Sequence, residues 1–152
     1  CQACDANQDY RLRISLSKSG EIEVERRVLT PLSPSFCQSK LCLQEANLQQ
    51  AFIYFKTTHR PHLSIEEQEK IYHNGKGELL ETSIGNLVLK IDGKLYTPPI
   101  RLGILPGIYR QNLLETGQVE EKALTLADLA RVEAIYGCNA VRGLYELSLE
   151  EN

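Results

Sequence analysis

A lysine that follows a run of apolar and aromatic residues is the side chain of this sequence best suited to chemistry. Residues 51–60 read AFIYFKTTHR, so Lys56 comes directly after the apolar run 52–55 and shortly before Arg60. The run predicts a strand buried on both faces, with Lys56 at its end, where the core opens into a cleft. Burial and the charge of Arg60 both disfavour an ammonium ion, so we expect the pKa of Lys56 to be lowered. Such an amine can act as a nucleophile and as a base, although on this stretch alone a lysine that simply extends into solvent is the commoner case.

Three further stretches offer groups that could surround a ligand. Glu81 ends a predicted strand and precedes small residues, so it can lie against a flat ligand or face water. Residues 105–108 (LPGI) lead a glycine turn into a predicted helix, whose backbone N–H groups and dipole suit a phosphate. Asn139 follows a predicted strand and precedes Arg142, an amide and a cation that could equally belong to a simple loop.

The composition indicates one ordinary globular domain. The 152 residues are 42% hydrophobic and 24% charged, and the net charge of −3 gives no basic surface for nucleic acid. No stretch approaches the roughly 20 apolar residues of a membrane span, and no signal-peptide core is found. Five irregularly spaced cysteines are typical of reduced thiols in a cytoplasm, and no set of ligands indicates a metal site. Because the sequence contains no methionine, we expect it to be a piece of a longer polypeptide.

The order of elements predicts a mixed α/β domain that is rich in strands. Residues 1–9 are expected to be a linker or a frayed end, and alternating apolar residues predict a β-hairpin after them. Ser64 and Glu67 have the spacing of a capping box, which predicts a helix to about Tyr72. Other helices are predicted to begin near residues 108 and 125, and other strands to cover residues 10–16, 22–28, 41–43, 78–81, 86–91, 94–97, 119–122, 134–138 and 143–147.

Taken together, the chemical stretches resemble the large domain of the class IV (fold type IV) pyridoxal-phosphate enzymes, and among them most of all the 4-amino-4-deoxychorismate lyases. The motifs are FKTTHR at 55–60, GELLETSIGNL at 77–87, LPGIYR at 105–110 and NAVRG at 139–143. The resemblance implies a D-amino acid aminotransferase-like fold, a pseudo-barrel of strands with short helices. It also implies that residues 10–148 are the large cofactor-binding domain and that the family's small N-terminal domain is absent from this sequence.

The resemblance assigns roles to single residues. Lys56 would form the covalent bond to pyridoxal 5'-phosphate, and Glu81 would hold the pyridine nitrogen. The backbone at Gly107 and Ile108, with the Asn139 side chain, would hold the phosphate. Candidates for substrate contacts are His59, Arg60, Tyr109 and Arg142.

The activity implied is a cytoplasmic lyase of folate biosynthesis that converts 4-amino-4-deoxychorismate to 4-aminobenzoate and pyruvate. Lys56 would serve as its nucleophile and general base. One alternative is a class IV aminotransferase for D-amino or branched-chain amino acids, and another is a non-catalytic fragment or degenerate domain. The resemblance further implies a small-molecule substrate and either a homodimer or a place in a longer fused polypeptide.

Overall fold

A computed structural model describes residues 7–44, 53–59, 61–64 and 66–150. The chain divides into two compact units, and the boundary in the sequence falls between Leu32 and Ser33. The first six residues of the predicted linker lie outside the described part, as do Phe52, Arg60 and Ile65.

The first unit contains the predicted hairpin. Strands β1 (Tyr10–Leu16) and β2 (Ile22–Val28) pair antiparallel, and the left-handed Gly20, with φ of 88°, lies in the turn between them. Side chains alternate between the two faces, because successive residues of a strand point in opposite directions. One face therefore presents exposed apolar residues, namely Leu12, Ile14, Leu16, Ile22, Val24 and Val28.

The second unit is built on a closed ring of six strands. Its elements in chain order are α1 (Pro34–Cys37), β3 (Gln38–Leu43), β4 (Lys70–His73), β5 (Leu79–Thr82), β6 (Asn86–Ile91), β7 (Lys94–Thr97), α2 (Ile108–Glu115), β8 (Glu120–Glu121), β9 (Ala134–Asn139) and β10 (Gly143–Leu149). The ring runs β5-β4-β3-β10-β9-β6 and is closed by pairing of β5 with β6, while β7 and β8 extend from β6. β3 pairs parallel with β4 and β10, and the other ring pairs are antiparallel. This architecture confirms the predicted mixed α/β, strand-rich pseudo-barrel.

Apolar side chains fill the barrel and the space under α2. One buried cluster contains Ile71, Leu79, Leu87, Leu89, Ile91, Leu124, Ile135 and Leu147. A second, with Val88, Leu113, Val119 and Cys138, joins α2 to β6 and β9. Complete burial of one such aliphatic side chain contributes about 1.5–3 kcal/mol, so these clusters stabilise the packing of the strands with one another and with α2.

Residues 53–55, the described part of the strand predicted before Lys56, do not form a strand. Residues 53–56 lie in turns and bends outside any strand. Ile53 is buried, but Phe55 is 65% exposed, and Lys56 is exposed as well. Among the described strands the ring closes by pairing of β5 with β6, and residues 53–55 are not part of it.

The helix predicted from Ser64 to about Tyr72 is also wrong. Lys70–His73 form strand β4 instead, paired with β3 on one side and β5 on the other. The backbone N–H of Ser64 donates to the Tyr72 hydroxyl at 2.9 Å, and Lys70 Nζ donates to Ser64 Oγ at 2.6 Å. Burial of Ile71 and Tyr72 in the barrel outweighs the local capping signal. The helix predicted from Thr125 does begin there, as a short 3-10 helix over Leu126–Arg131.

Candidate functional site

Glu81 lies on β5 with its carboxylate inside the protein. The residue is only 2% exposed, and its Oε2 accepts a hydrogen bond from the Leu105 N–H at 3.3 Å. It stands directly opposite Asn86 where β5 pairs with β6. The pairing of two ring strands therefore fixes the carboxylate against the loop that leads into α2.

Asn86 holds the other side of the same loop. Its Nδ2 donates to the Leu105 carbonyl at 2.8 Å, so Leu105 is bonded through its N–H to Glu81 and through its C=O to Asn86. A Cβ placed on Gly107 would overlap Asn86 Oδ1. Gly107 is the N-cap of α2, and its lack of a side chain lets the helix N-terminus come close to β6.

Asn139 ends β9 and shapes the turn that follows. Its Oδ1 accepts hydrogen bonds from the backbone N–H groups of Val141 (3.0 Å) and Arg142 (2.9 Å). Its Nδ2 donates to the Ile84 carbonyl at 3.2 Å. The Asn139 side chain thus ties the turn after β9 to the turn between β5 and β6.

The first turn of α2 brings two further predicted residues to this end of the barrel. The Tyr109 hydroxyl lies 3.2 Å from the position of a Cβ on Gly143, at the start of β10. Ile108, the first residue of α2, has an 81% exposed side chain, and Arg142 is half-buried. Glu81, Gly107 and Asn139, which are far apart in sequence, are therefore joined through a short chain of hydrogen bonds and close contacts.

Unlike the buried Glu81, Lys56 and His59 lie on an exposed loop. Both are exposed, and the loop that carries them is tightened by a 2.9 Å hydrogen bond from Thr57 Oγ1 to the His59 carbonyl. The burial on which the predicted chemistry of Lys56 depended is therefore not found in this structure. Arg60, a predicted substrate contact, lies outside the described residues.

Two polar residues that the sequence did not single out, the buried Glu69 and the half-buried Tyr145, lie next to the site. Glu69 is fully buried, and its Oε1 accepts a 2.7 Å hydrogen bond from the Ser83 N–H. The Tyr145 hydroxyl donates to Glu69 Oε2 at 3.4 Å. Burial raises the pKa of the Glu69 carboxyl, although hydrogen bonds from Ser83 oppose the shift, and burial with the nearby Glu69 charge raises the pKa of Tyr145. No local signal separates Glu69 from the exposed acidic residues just before it.

The chain belongs to the class IV aminotransferase family, whose model, "Amino-transferase class IV", matches residues 7–148. A Schizosaccharomyces pombe protein named "Putative aminodeoxychorismate lyase" is 26% identical over 124 residues, which are 73% of this chain and 53% of that protein. The matched regions span about half or less of the curated relatives, 53% of this one and 35% of a Haemophilus influenzae protein.

Solved structures share the fold. A "Putative amino-acid aminotransferase" from Mesorhizobium loti is 28% identical and superposes with a TM-score of 0.81, covering 95% of this chain and 75% of that one. An aminotransferase from Brucella abortus, bound to the cofactor PLP, has a TM-score of 0.77 at 16% identity, covering 98% of this chain and 64% of that one. That likeness shows the same fold in a protein that holds pyridoxal phosphate.

The polar groups at this end of the barrel fit a pyridine phosphate. A buried carboxylate such as Glu81 can accept a hydrogen bond from a protonated ring nitrogen. The first turn of α2, after Gly107, presents backbone N–H groups of the kind that bind phosphate, while the Gly107 N–H itself donates to the Leu105 carbonyl at 2.8 Å. Among the described residues, no cluster of side chains is suited to a metal ion. Nor does the described part contain a helix long and apolar enough to cross a membrane.

Proposed function

We propose that this chain binds pyridoxal 5'-phosphate and converts 4-amino-4-deoxychorismate to 4-aminobenzoate and pyruvate. The observation that carries the proposal is the position of Glu81, buried and bonded to the loop that leads into α2. A carboxylate and a helix N-terminus are thereby held side by side, as a cofactor with a ring nitrogen and a phosphate requires. The likeness to the S. pombe protein supports lyase chemistry.

The residues divide the work by their chemistry. When bound, pyridoxal phosphate supplies an electron-withdrawing ring that stabilises negative charge on the substrate carbon bearing the amino group. Glu81 would keep the ring nitrogen protonated, and the α2 N-terminus at Gly107 and Ile108 would hold the phosphate, with the Ile108 N–H as a donor. The Lys56 amine would hold the cofactor before the substrate binds and, once free, would take the proton from that carbon. Loss of that proton would let the bond from the neighbouring carbon to the enolpyruvyl oxygen break, so that the substrate ring becomes aromatic and the enolpyruvate released takes up a proton as pyruvate.

Cofactor binding is tested by absorbance and by chemical trapping. Addition of pyridoxal phosphate to the purified chain is expected to give a band near the visible edge. Borohydride reduction followed by peptide mass spectrometry should then locate the adduct at Lys56. The band should vanish in Lys56→Ala and persist in Lys76→Ala, a matched control at another exposed lysine. Absence of a band in the wild-type chain would favour the non-catalytic alternative, to which the exposure of Lys56 also points.

A second assay separates the lyase from an aminotransferase. The loaded protein is incubated with 4-amino-4-deoxychorismate and no keto acid, and 4-aminobenzoate is followed by its fluorescence. A lyase releases 4-aminobenzoate and pyruvate in equal amounts without an acceptor. Turnover that appears only when a keto acid is added, with amino transfer to it, would overturn the lyase proposal in favour of transamination.

A further inference from the structure

Glu69 bonds to a turn whose two ends carry site residues. The turn follows β5, and the Ser83 N–H within it donates to Glu69 Oε1 at 2.7 Å. The Ser83 hydroxyl in turn accepts from the Lys70 N–H at 3.1 Å. The fully buried carboxylate of Glu69, just before β4, is thus joined to the segment between Glu81 and Asn86.

Tyr145 holds the same turn from the β10 side. A Cβ on Gly137 would overlap the Tyr145 ring, and a Cβ on Gly85 would lie 2.9 Å from its hydroxyl. That hydroxyl is 3.4 Å from Thr82 Oγ1 and also 3.4 Å from Glu69 Oε2. The two glycines therefore make the space in which a ring from β10 packs under the turn and reaches the buried carboxylate.

The turn between β5 and β6 is connected to the loop before α2 through Glu81 and Asn86. Glu81 and Asn86 flank the turn and pair across β5 and β6, and both bond to the backbone of Leu105. A movement of the turn must alter the spacing of these two side chains, and with it the position of the loop that carries Gly107.

We propose that Glu69 and Tyr145 are positioning residues, which hold the turn at Ser83 so that Glu81 and the α2 N-terminus keep the spacing a pyridine phosphate needs. The ligand named in this inference rests on the proposed function. Glu69 acts through Ser83, and Tyr145 acts through Gly85 and Glu69.

The experiment compares Glu69→Gln, Tyr145→Phe and the double variant. Each single change is expected to weaken binding of pyridoxal phosphate about tenfold, because a buried hydrogen-bond partner is lost beside the site. The double variant should bind little more weakly than the worse single one, since both single changes disturb the same hydrogen bond from the Tyr145 hydroxyl to Glu69 Oε2. Thr97→Val is the matched control. Thr97, on β7, donates a buried 2.8 Å hydrogen bond to the Leu87 carbonyl on β6, and the substitution deletes that bond. This variant should bind pyridoxal phosphate with unchanged affinity.

Hydrogen exchange of the cofactor-free chain tests the coupling separately. In Glu69→Gln, peptides covering residues 82–86 and 104–107 should exchange faster, whereas in Thr97→Val they should not. Unchanged affinity and exchange in both positioning variants would overturn the inference, as would an equal loss of affinity in Thr97→Val. If the wild-type chain binds no pyridoxal phosphate, the proposed function fails. Faster exchange at 104–107 would then still support the positioning role, and unchanged exchange there would overturn it.

Discussion

Asn86 Oδ1 occupies the space where a Cβ on Gly107 would lie. The amide cannot move away freely, because its Nδ2 is bonded to the Leu105 carbonyl at 2.8 Å. Gly107→Ala must therefore displace either Asn86 or the loop before α2, and we expect it to lower the free energy of unfolding by about 1–3 kcal/mol. Urea unfolding followed by circular dichroism measures the change, and affinity for pyridoxal phosphate should fall with it.

Gly75→Ala provides the control for the Gly107 substitution. No atom lies within 4 Å of a Cβ on Gly75, so the free energy of unfolding should change by no more than about 0.5 kcal/mol. Equal losses of unfolding free energy in the two alanine variants would show that the contact with Asn86 is not the cause of the destabilisation in Gly107→Ala. Adding Asn86→Ala to Gly107→Ala should relieve the overlap and recover part of the lost stability.

Arg110 is a buried cation that anchors α2 to the strand layer. Its side chain is 1% exposed, and its Nη2 donates to the Pro98 carbonyl at 2.8 Å and to Glu121 Oε2 at 2.6 Å. Removing only the carboxylate leaves the guanidinium buried, so Glu121→Ala is expected to cost about 1–3 kcal/mol of unfolding free energy. The side chain of Glu121 is 46% exposed, which favours the lower part of that range.

Arg110→Met should cost less than Glu121→Ala, because an apolar chain of similar length needs no partner. Glu120→Ala is the matched control in the neighbouring position. It removes an exposed pair with Lys94 at 3.4 Å, which is expected to contribute less than about 1 kcal/mol. Chemical unfolding at pH 7 ranks the three variants, and a larger loss in Glu120→Ala than in Glu121→Ala would contradict this account of Arg110.

The parts of the fold that sequence could predict depend on contacts between near neighbours. The hairpin between β6 and β7 is an example, since Asp92 and Gly93 both adopt positive φ (51° and 76°) in the tight turn their types favour. Glu81, Gly107 and Asn139 could be predicted as site residues from the sequence because each is expected at or beside the end of an element that local signals define. Their convergence could be expected only from the order of the motifs.

The wrong predictions concern segments whose state is decided by distant strands. The apolar run before Lys56 has the composition of a strand, but its described part, residues 53–55, lies outside the ring that β5 and β6 close. Glu69 stands in an acidic run with a capping signal, yet its backbone N–H donates to the Phe36 carbonyl and its carbonyl accepts from Lys40 at the start of the β3–β4 pairing. Neither partner can be identified from the residues around Glu69.

The capping box at Thr125 predicts a pH-dependent contribution to stability. Asp128 accepts hydrogen bonds from the Thr125 N–H and hydroxyl, both at 2.8 Å. Burial alone would raise its pKa, but these bonds, together with the charges of Lys122 and Arg131, outweigh burial and hold the pKa below its ordinary value of 3.8. A lowered carboxyl pKa adds stability that is present above pH 3.8 and is lost as pH falls through the folded-state value.

Asp128→Ala should therefore cost about 1 kcal/mol of unfolding free energy at pH 7 and less near pH 3, measured by urea unfolding at both pH values. An equal cost at the two pH values would contradict the role of the charged form.

Glu69 should give the opposite dependence on pH. Burial raises its carboxyl pKa above the ordinary value of 4.5, although the hydrogen bonds from Ser83 act to lower that pKa. The folded chain then binds more protons at Glu69 than the unfolded chain does, so the free energy of unfolding falls as pH rises from 4.5 through the folded-state pKa. Glu69→Gln removes this titration, and its stability relative to wild type should rise between pH 4.5 and pH 8 in a series of urea unfolding curves. Glu67→Gln makes the same charge change at an exposed neighbour and should follow the wild-type curve. A Glu69→Gln curve parallel to wild type across this range would show that the buried carboxyl titrates alike in both states and would remove the physical basis for this prediction.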